Sequence, residues 1–287
     1  MNIKILNKAV CSYAFFAALS AALLITVSTT IQAQVSPTRI KIETKPGEKV
    51  PFNFNIINKN KEQRSYAISY SYYSQDEDGY QKEIKVTSGN QSGAWDWIKL
   101  DNKIKPNQRF DIKSEENFSL SGVIKVPRKR SKSVGFYNIM VSVTEFAPQQ
   151  KKSGVTLNYA SAGIIELTVL GVKRRPKYLV ENTEITVDKE SNSSTASIEY
   201  LNQSNYKARL LLKMQLRREN RLIASIPLLT NESSNGNHHY SSIFPNNRVK
   251  LTGSVDKLLL PGDYDMRIVG EFGGSRLRTF KKTITVN

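Results

Sequence analysis

Residues 118–146 read FSLSGVIKVPRKRSKSVGFYNIMVSVTEF. Phe118 and Leu120 are followed, past Gly122, by Ile124 and Val126, and Pro127 stops the run. Arg128, Lys129, Arg130 and Lys132 then spell a solvated turn. Gly135 opens a second run in which Tyr137, Ile139, Val141 and Val143 recur at every other position. Alternation of this kind turns one face of a strand to a core and the other to water. The pattern is written again later: Leu251, Thr252 and Gly253, then Val255, then Pro261 and Gly262, then Tyr264, Met266 and Ile268. A chain that spells one strand–turn–strand unit twice contains one domain type twice.

The length of 287 residues accommodates two ordinary domains. Lys4 and Lys8 precede an apolar run from Ala14 to Val27, and Ile31, Gln32 and Ala33 close it with a small residue. This is the order of a secretory signal peptide over residues 1–33, cleaved after Ala33. The run is shorter than the roughly 20 residues of a bilayer span, so the mature chain is expected to carry no transmembrane helix. The one cysteine, Cys11, lies in this leader. The mature chain therefore has no disulfide, thiol nucleophile or thiolate metal site. Its stability must come from packed sheets.

The net charge of +17 is spread through the chain, with clusters at Arg128–Lys132, Lys151–Lys152, Lys173–Lys177 and Arg217–Arg221. On an exported protein, such a surface favours anionic partners. Export and the lack of any nucleic-acid motif argue against DNA or RNA.

The first domain is expected over residues 34–171, a short basic linker over 172–176, and the second domain over 177–287. Phe52, Phe54 and Ile56 alternate with polar residues up to Asn58, and Tyr66, Ile68, Tyr70 and Tyr72 alternate again. Consecutive alternating strands with short polar turns spell antiparallel sheets. Asp76, Glu77, Asp78 and Gly79 read as a solvated hairpin tip, because the alternate-position ligands of a calcium loop are missing. Trp95 and Trp97 sit at strand spacing on one face, as core or as an exposed aromatic platform. In the second half, the ending at Asn202 parallels that at Asn58. Leu210–Arg218 is helical by propensity, but its place in the repeat makes it a strand.

Catalytic chemistry has few candidates. The only histidines, His238 and His239, are adjacent in a polar loop and point apart on an extended chain. With no other histidine and no mature cysteine, a Ser-His-Asp or Cys-His set is nearly excluded, and paired carboxylates for sugar hydrolysis stay open although no pair is marked. No phosphate-binding glycine loop appears. No cofactor and no metal are expected.

Each half carries about seven strand signals and a Gly-x-Tyr opening its penultimate strand. Tyr137 and Tyr264 sit where an immunoglobulin-like sandwich ties a corner to its backbone. The expected fold is all-β: two tandem immunoglobulin-like β-sandwich domains after a signal peptide.

With that fold, the mature start Val35–Ser36–Pro37–Thr38–Arg39 and the asparagine-ended strand Phe52–Asn58 resemble the periplasmic pilus-assembly chaperones of bacteria. The resemblance implies strand donation, in which a first-domain edge strand lends apolar side chains to a subunit lacking its last strand. By order, that strand runs from Val155 to Val169. Its donated residues would be Val155, Leu157 and Tyr159, or Ile165, Leu167 and Val169. The resemblance also implies a basic pair holding a subunit's terminal carboxylate. Lys41 matches the first cation by position, with Arg39 as its neighbour. The second is a lysine in that family, and Glu166 stands in its neighbourhood here.

The chain also resembles two-domain surface proteins that bind WxL-type cell-wall proteins. That likeness rests on Pro46–Gly47, Phe244–Pro245–Asn246 and Pro261–Gly262–Asp263–Tyr264. Those proteins end in a membrane helix, whereas this chain ends at Asn287 after a strand.

Both resemblances imply a non-catalytic, periplasmic or secreted module that holds protein subunits of an envelope or surface assembly. The alternative is an adhesin-like module held to anionic polysaccharide or a surface protein by its basic face.

Overall fold

The computed structural model describes residues 34–86, 93–101, 104–147, 158–171, 177–272, 275–276 and 280–286. The expected leader, the linker 172–176, and Val155 and Leu157 lie outside them. The described residues form two tandem immunoglobulin-like β-sandwiches.

The first sandwich contains β1 (Gln34–Ser36), β2 (Arg39–Thr44), β3 (Lys49–Ile57), β4 (Arg64–Gln75) and β5 (Gln81–Lys85). It continues with β6 (Ile98–Leu100), β7 (Arg109–Ile112), β8 (Asn117–Lys125), β9 (Gly135–Phe146) and β10 (Tyr159–Val169). One sheet has the order β1-β3-β8-β6; the other has the order β2-β10-β9-β4-β5, with β7 beside β4. The opening segment thus changes sheets, because β1 pairs antiparallel with β3 while β2 runs parallel to β10.

The second sandwich contains β11 (Tyr178–Asp188), β12 (Ser193–Asn202), β13 (Ala208–Arg218), β14 (Arg221–Leu228) and β15 (Ser241–Ile243). It closes with β16 (Arg248–Val255), β17 (Gly262–Phe272), β18 (Ser275–Arg276) and β19 (Phe280–Val286). Its sheets are β11-β12-β16 and β14-β13-β17-β18, with β15 on β13 and β19 on β17.

Period-two burial builds both cores. Phe54, Ile56, Leu120, Ile124, Ile139 and Val143 meet in the first, and Ile198, Leu210, Met214, Leu251, Met266 and Ile268 in the second. The segment expected as strand despite its helical propensity is β13, with Leu210, Leu212, Met214 and Leu216 inward and Arg209, Leu211 and Lys213 outward. A helix would send residues two apart to opposite sides and scatter those four apolar side chains.

The repeated residues have repeated jobs. Asn58 and Asn202 end equivalent strands, and both are fully buried. The Asn58 amide donates to the carbonyls of Glu62, Ile112 and Lys113 at 2.9, 3.1 and 2.9 Å. The Asn202 amide donates to those of Tyr206, Ile243 and Phe244 at 2.9, 3.1 and 3.1 Å. Each side-chain oxygen accepts the N–H two residues on, from Asn60 or Ser204. One buried amide therefore joins three segments through its own hydrogen bonds in each sandwich.

The glycines of the two Leu-x-Gly copies mark close approaches. A Cβ on Gly122 would meet the Lys99 carbonyl at 2.7 Å, and one on Gly253 the Pro227 carbonyl at 1.8 Å. The corner tyrosines are also in place. Tyr264 donates to the Leu260 carbonyl at 2.8 Å, and Tyr137 more loosely to that of Lys132 at 3.5 Å.

Trp95 and Trp97 depart from the strand expected of them. Ala94–Trp97 is a short 3-10 turn in which Asp96 reaches back to accept the Gly93 N–H at 3.1 Å. Trp95 stacks on Tyr72 at 5.4 Å, and Trp97 meets Tyr137 edge-on at 4.9 Å. Both are half-buried lids on the first core. The local acidic cap outweighs the period-two pattern here, because the run is too short to make a ladder.

Asn202→Leu removes its bonds to three carbonyls and leaves the Ser204 N–H without its acceptor, and should lower unfolding stability by about 3 kcal/mol. Exposed Ser254→Ala should change it by about 0.5 kcal/mol or less. Urea unfolding of the two variants checks the difference.

Candidate functional site

The strand nominated for lending, β10, is sealed over one part of its length and open over the other. From Ile164 to Val169 it pairs with β2 on one side and β9 on the other. Ile165, Leu167 and Val169 are fully buried in the first core. Their side chains are spent on the protein's own packing, so they are not a lending surface. From Tyr159 to Gly163, β10 pairs with β9 alone. Ile164 donates its N–H to the Thr38 carbonyl at 2.9 Å, and Leu170 donates to that of Thr44 at 2.7 Å. Alternation along the strand then aims the N–H and C=O of Ala160 and Ala162 the same way. Among the described residues these groups meet no backbone partner. Tyr159 and Ala160 are exposed there.

The anchor of this free stretch is a buried polar knot on the neighbouring strand. Glu145 is the register partner of Tyr159. It accepts from Asn60 at 2.9 Å, lies 3.5 Å from the Tyr66 hydroxyl and faces Arg64 at 3.9 Å. Burial first, and then the Glu145 charge, push the Tyr66 phenol well above its ordinary range. It stays a neutral donor facing the Glu145 carboxylate.

The two anchor candidates fare differently. Arg39 donates to Glu166 Oε1 at 3.3 Å, and Lys207 of the second sandwich reaches the same oxygen at 3.3 Å. Lys207 also lies over the Phe136 and Phe244 rings at 5.7 and 5.4 Å. Lys41 is exposed, opposite Glu166 in the parallel ladder, and has no ion pair among the described residues. Position along the strand pointed to β2; it carried no sign of Lys207, whose contact spans the domain junction.

The acidic tip expected in solvent is instead a clasp between the sandwiches. Asp76 accepts the N–H groups of Asp78 and Tyr80 at 3.1 and 2.8 Å, which shapes the tip. Lys250 N–H then donates to the Glu77 carbonyl at 2.6 Å, and Glu232 N–H to that of Asp78 at 3.1 Å. Gln75 both donates to the Ser242 carbonyl at 2.8 Å and accepts the Phe244 N–H at 2.7 Å. Asn247 closes the seam on Ser74 and the Gln75 carbonyl at 2.9 and 3.0 Å. Residues this far apart in sequence give no local pattern from which such docking can be read.

Between the sandwiches opens a cleft of about 380 Å³ lined by Tyr72, Trp95, Phe136, Tyr137, Phe244 and Asn246, among others. Phe136 and Phe244 stack across the junction at 5.7 Å. Burial raises the Tyr137 phenol above its ordinary range.

His238 and His239 are both exposed. Among the described residues, no three His, Cys, Asp or Glu side chains converge to hold a metal ion. No helix among them is long and apolar enough to cross a membrane.

No protein-family model and no curated protein sequence matches the chain. Solved structures similar to it include one of a chaperone–tip adhesin complex in CFA/I fimbriae biogenesis. It shares 13% identity over 88% of this chain and 98% of that one, with a TM-score of 0.46. A second is the CsuC–CsuE chaperone–tip subunit pre-assembly complex of Acinetobacter baumannii, at 14% identity, 89% and 98% coverage and a TM-score of 0.40. A third is the E. coli chaperone DraB, at 10% identity, 88% and 98% coverage and a TM-score of 0.38. These are partial likenesses in shape, and the chain's own geometry carries the functional reading.

Gln75→Ala removes both side-chain bonds to the second sandwich and leaves the Phe244 N–H unpaired. Stability should fall by about 2 kcal/mol, and the two halves should begin to melt separately. Calorimetry showing one transition at an unchanged midpoint would contradict the clasp.

Proposed function

We propose that the chain is an exported, non-catalytic holding module that acts by β-strand addition, in the manner of a pilus or surface-protein assembly chaperone. The observation that carries this reading is the stretch of β10 from Tyr159 to Gly163, which among the described residues pairs with β9 alone. An open sheet edge is a template for another chain, and main-chain hydrogen bonds would supply most of the affinity. Val155, Leu157 and Tyr159 are the side chains proposed to enter the partner. The partner is a protein subunit of an envelope or surface assembly, and the compartment is the periplasm or the exterior.

Lys41 is the proposed anchor for a partner's carboxylate. It projects from the strand beside the edge and has no competing acid bonded to it among the described residues. Arg39 is the second candidate, and a partner would have to draw it from Glu166.

A second reading draws on the charge of +17: the whole basic surface holds an anionic polysaccharide. In that case every cation contributes alike, and binding collapses as salt rises.

Ala160→Pro and Ala162→Pro delete N–H groups that have no backbone partner among the described residues, and an edge strand tolerates proline. Stability should change by about 1 kcal/mol or less. Affinity purification from the native envelope extract should recover one stoichiometric protein with the parent chain and none with either variant. Equal recovery with all three, or recovery of polysaccharide alone, would overturn strand addition.

A further inference from the structure

Two turns at the junction end of the first sandwich concentrate positive charge. Lys45 lies in the β2–β3 turn with Lys49 opening β3, and Lys125 ends β8 ahead of Arg128 and Arg130 in the β8–β9 connection. Between the turns lies a notch of about 720 Å³, lined by Lys45, Gly47, Glu48, Arg128, Arg130 and Leu170, among others. Arg128 is laid along the notch floor, since a Cβ on Gly47 would sit 3.0 Å from its Cγ. Behind it, Lys49 and Lys125 are direct cross-strand partners. Like charges placed opposite one another cost stability unless an anion relieves them.

Glu48, the one acid among the described lining residues, meets this charge only through Lys45. Glu48 turns its carboxylate onto its own turn, accepting from Thr44 Oγ1 at 2.7 Å and Lys45 N–H at 2.8 Å. Those bonds, the Thr44 one foremost, hold its pKa below the ordinary carboxylate value. Among the described residues, none of Lys45, Lys49, Lys125, Arg128 and Arg130 makes an ion pair.

We infer that this notch is a binding site for clustered phosphate. Two guanidinium forks and a lysine around one concavity offer more donors than a single carboxylate can accept. The tetrahedral oxygens of neighbouring phosphates can meet them from several directions. The site lies apart from the open edge of β10 and does not depend on strand addition. It differs from diffuse charge attraction in predicting that a few cations matter and the rest do not.

The full chain is titrated by calorimetry with tripolyphosphate, and by sedimentation with vesicles containing phosphatidylglycerol. Arg128→Gln with Arg130→Gln is compared with Lys213→Gln with Lys281→Gln, an equal charge change on exposed positions of the second sandwich. The notch pair should weaken binding by about tenfold or more, and the control pair by about twofold or less. Matching thermal melts confirm that both variants are folded. Binding of tripolyphosphate that depends on Arg128 and Arg130 supports a free polyphosphate ligand. The same dependence on vesicles alone supports a lipid-borne one. Equal weakening by both pairs, or no binding of either probe by the parent chain, overturns the site.

Discussion

A single buried amide closes each half of this protein, and the rest of the architecture follows from it. Asn202 ties the end of β12 to the start of β13 and to the carbonyls of Ile243 and Phe244. That bond set fixes the turn from Phe244 to Asn247, and the turn in turn holds Gln75 of the first sandwich. With Gln75 held, the acidic tip docks on Glu232 and Lys250, and the two halves meet at a defined seam. Removing water from such amides is costly unless every group is paired, so the arrangement is fully committed or absent. Asn58 does the same for the first half, where its neighbour Asn60 also bonds Glu145 beneath the open edge.

The consequence for function is a strand of two characters. The stretch of β10 nearest the junction is locked between β2 and β9, and its alternating apolar residues fill the core. Among the described residues the far stretch has one strand neighbour, β9, because the opening segment crosses to the other sheet at Ser36–Arg39. A rigid sheet therefore presents a short, pre-shaped edge. Little ordering entropy remains to be lost on the donor side when another strand adds to it.

Local spacing made the sandwich pairs, the asparagine-ended strands, the corner tyrosines and the strand nature of Leu210–Arg218 legible, because period two and turn chemistry are written within ten residues. The site was legible only in part. Order along the chain located β10, yet nothing local distinguishes Tyr159, on an open edge, from Leu167, in the core. The clasp and the Arg39–Glu166–Lys207 cluster join residues 41 to 173 positions apart, and no periodicity encodes such meetings. Trp95 and Trp97 misled for the opposite reason: strand spacing over three residues is also the spacing of a single capped turn.

Amide hydrogen exchange along β10 tests the central claim most directly, and it needs no partner. If the edge is open, the N–H groups of Ala160 and Ala162 exchange quickly in the isolated chain. Those of Ser161, Gly163, Ile164 and Glu166 stay protected by the ladders on either side. Protection of Ala160 and Ala162 at the level of Ile164 and Glu166 would mean that the edge is already covered, and the protein would have no strand to lend.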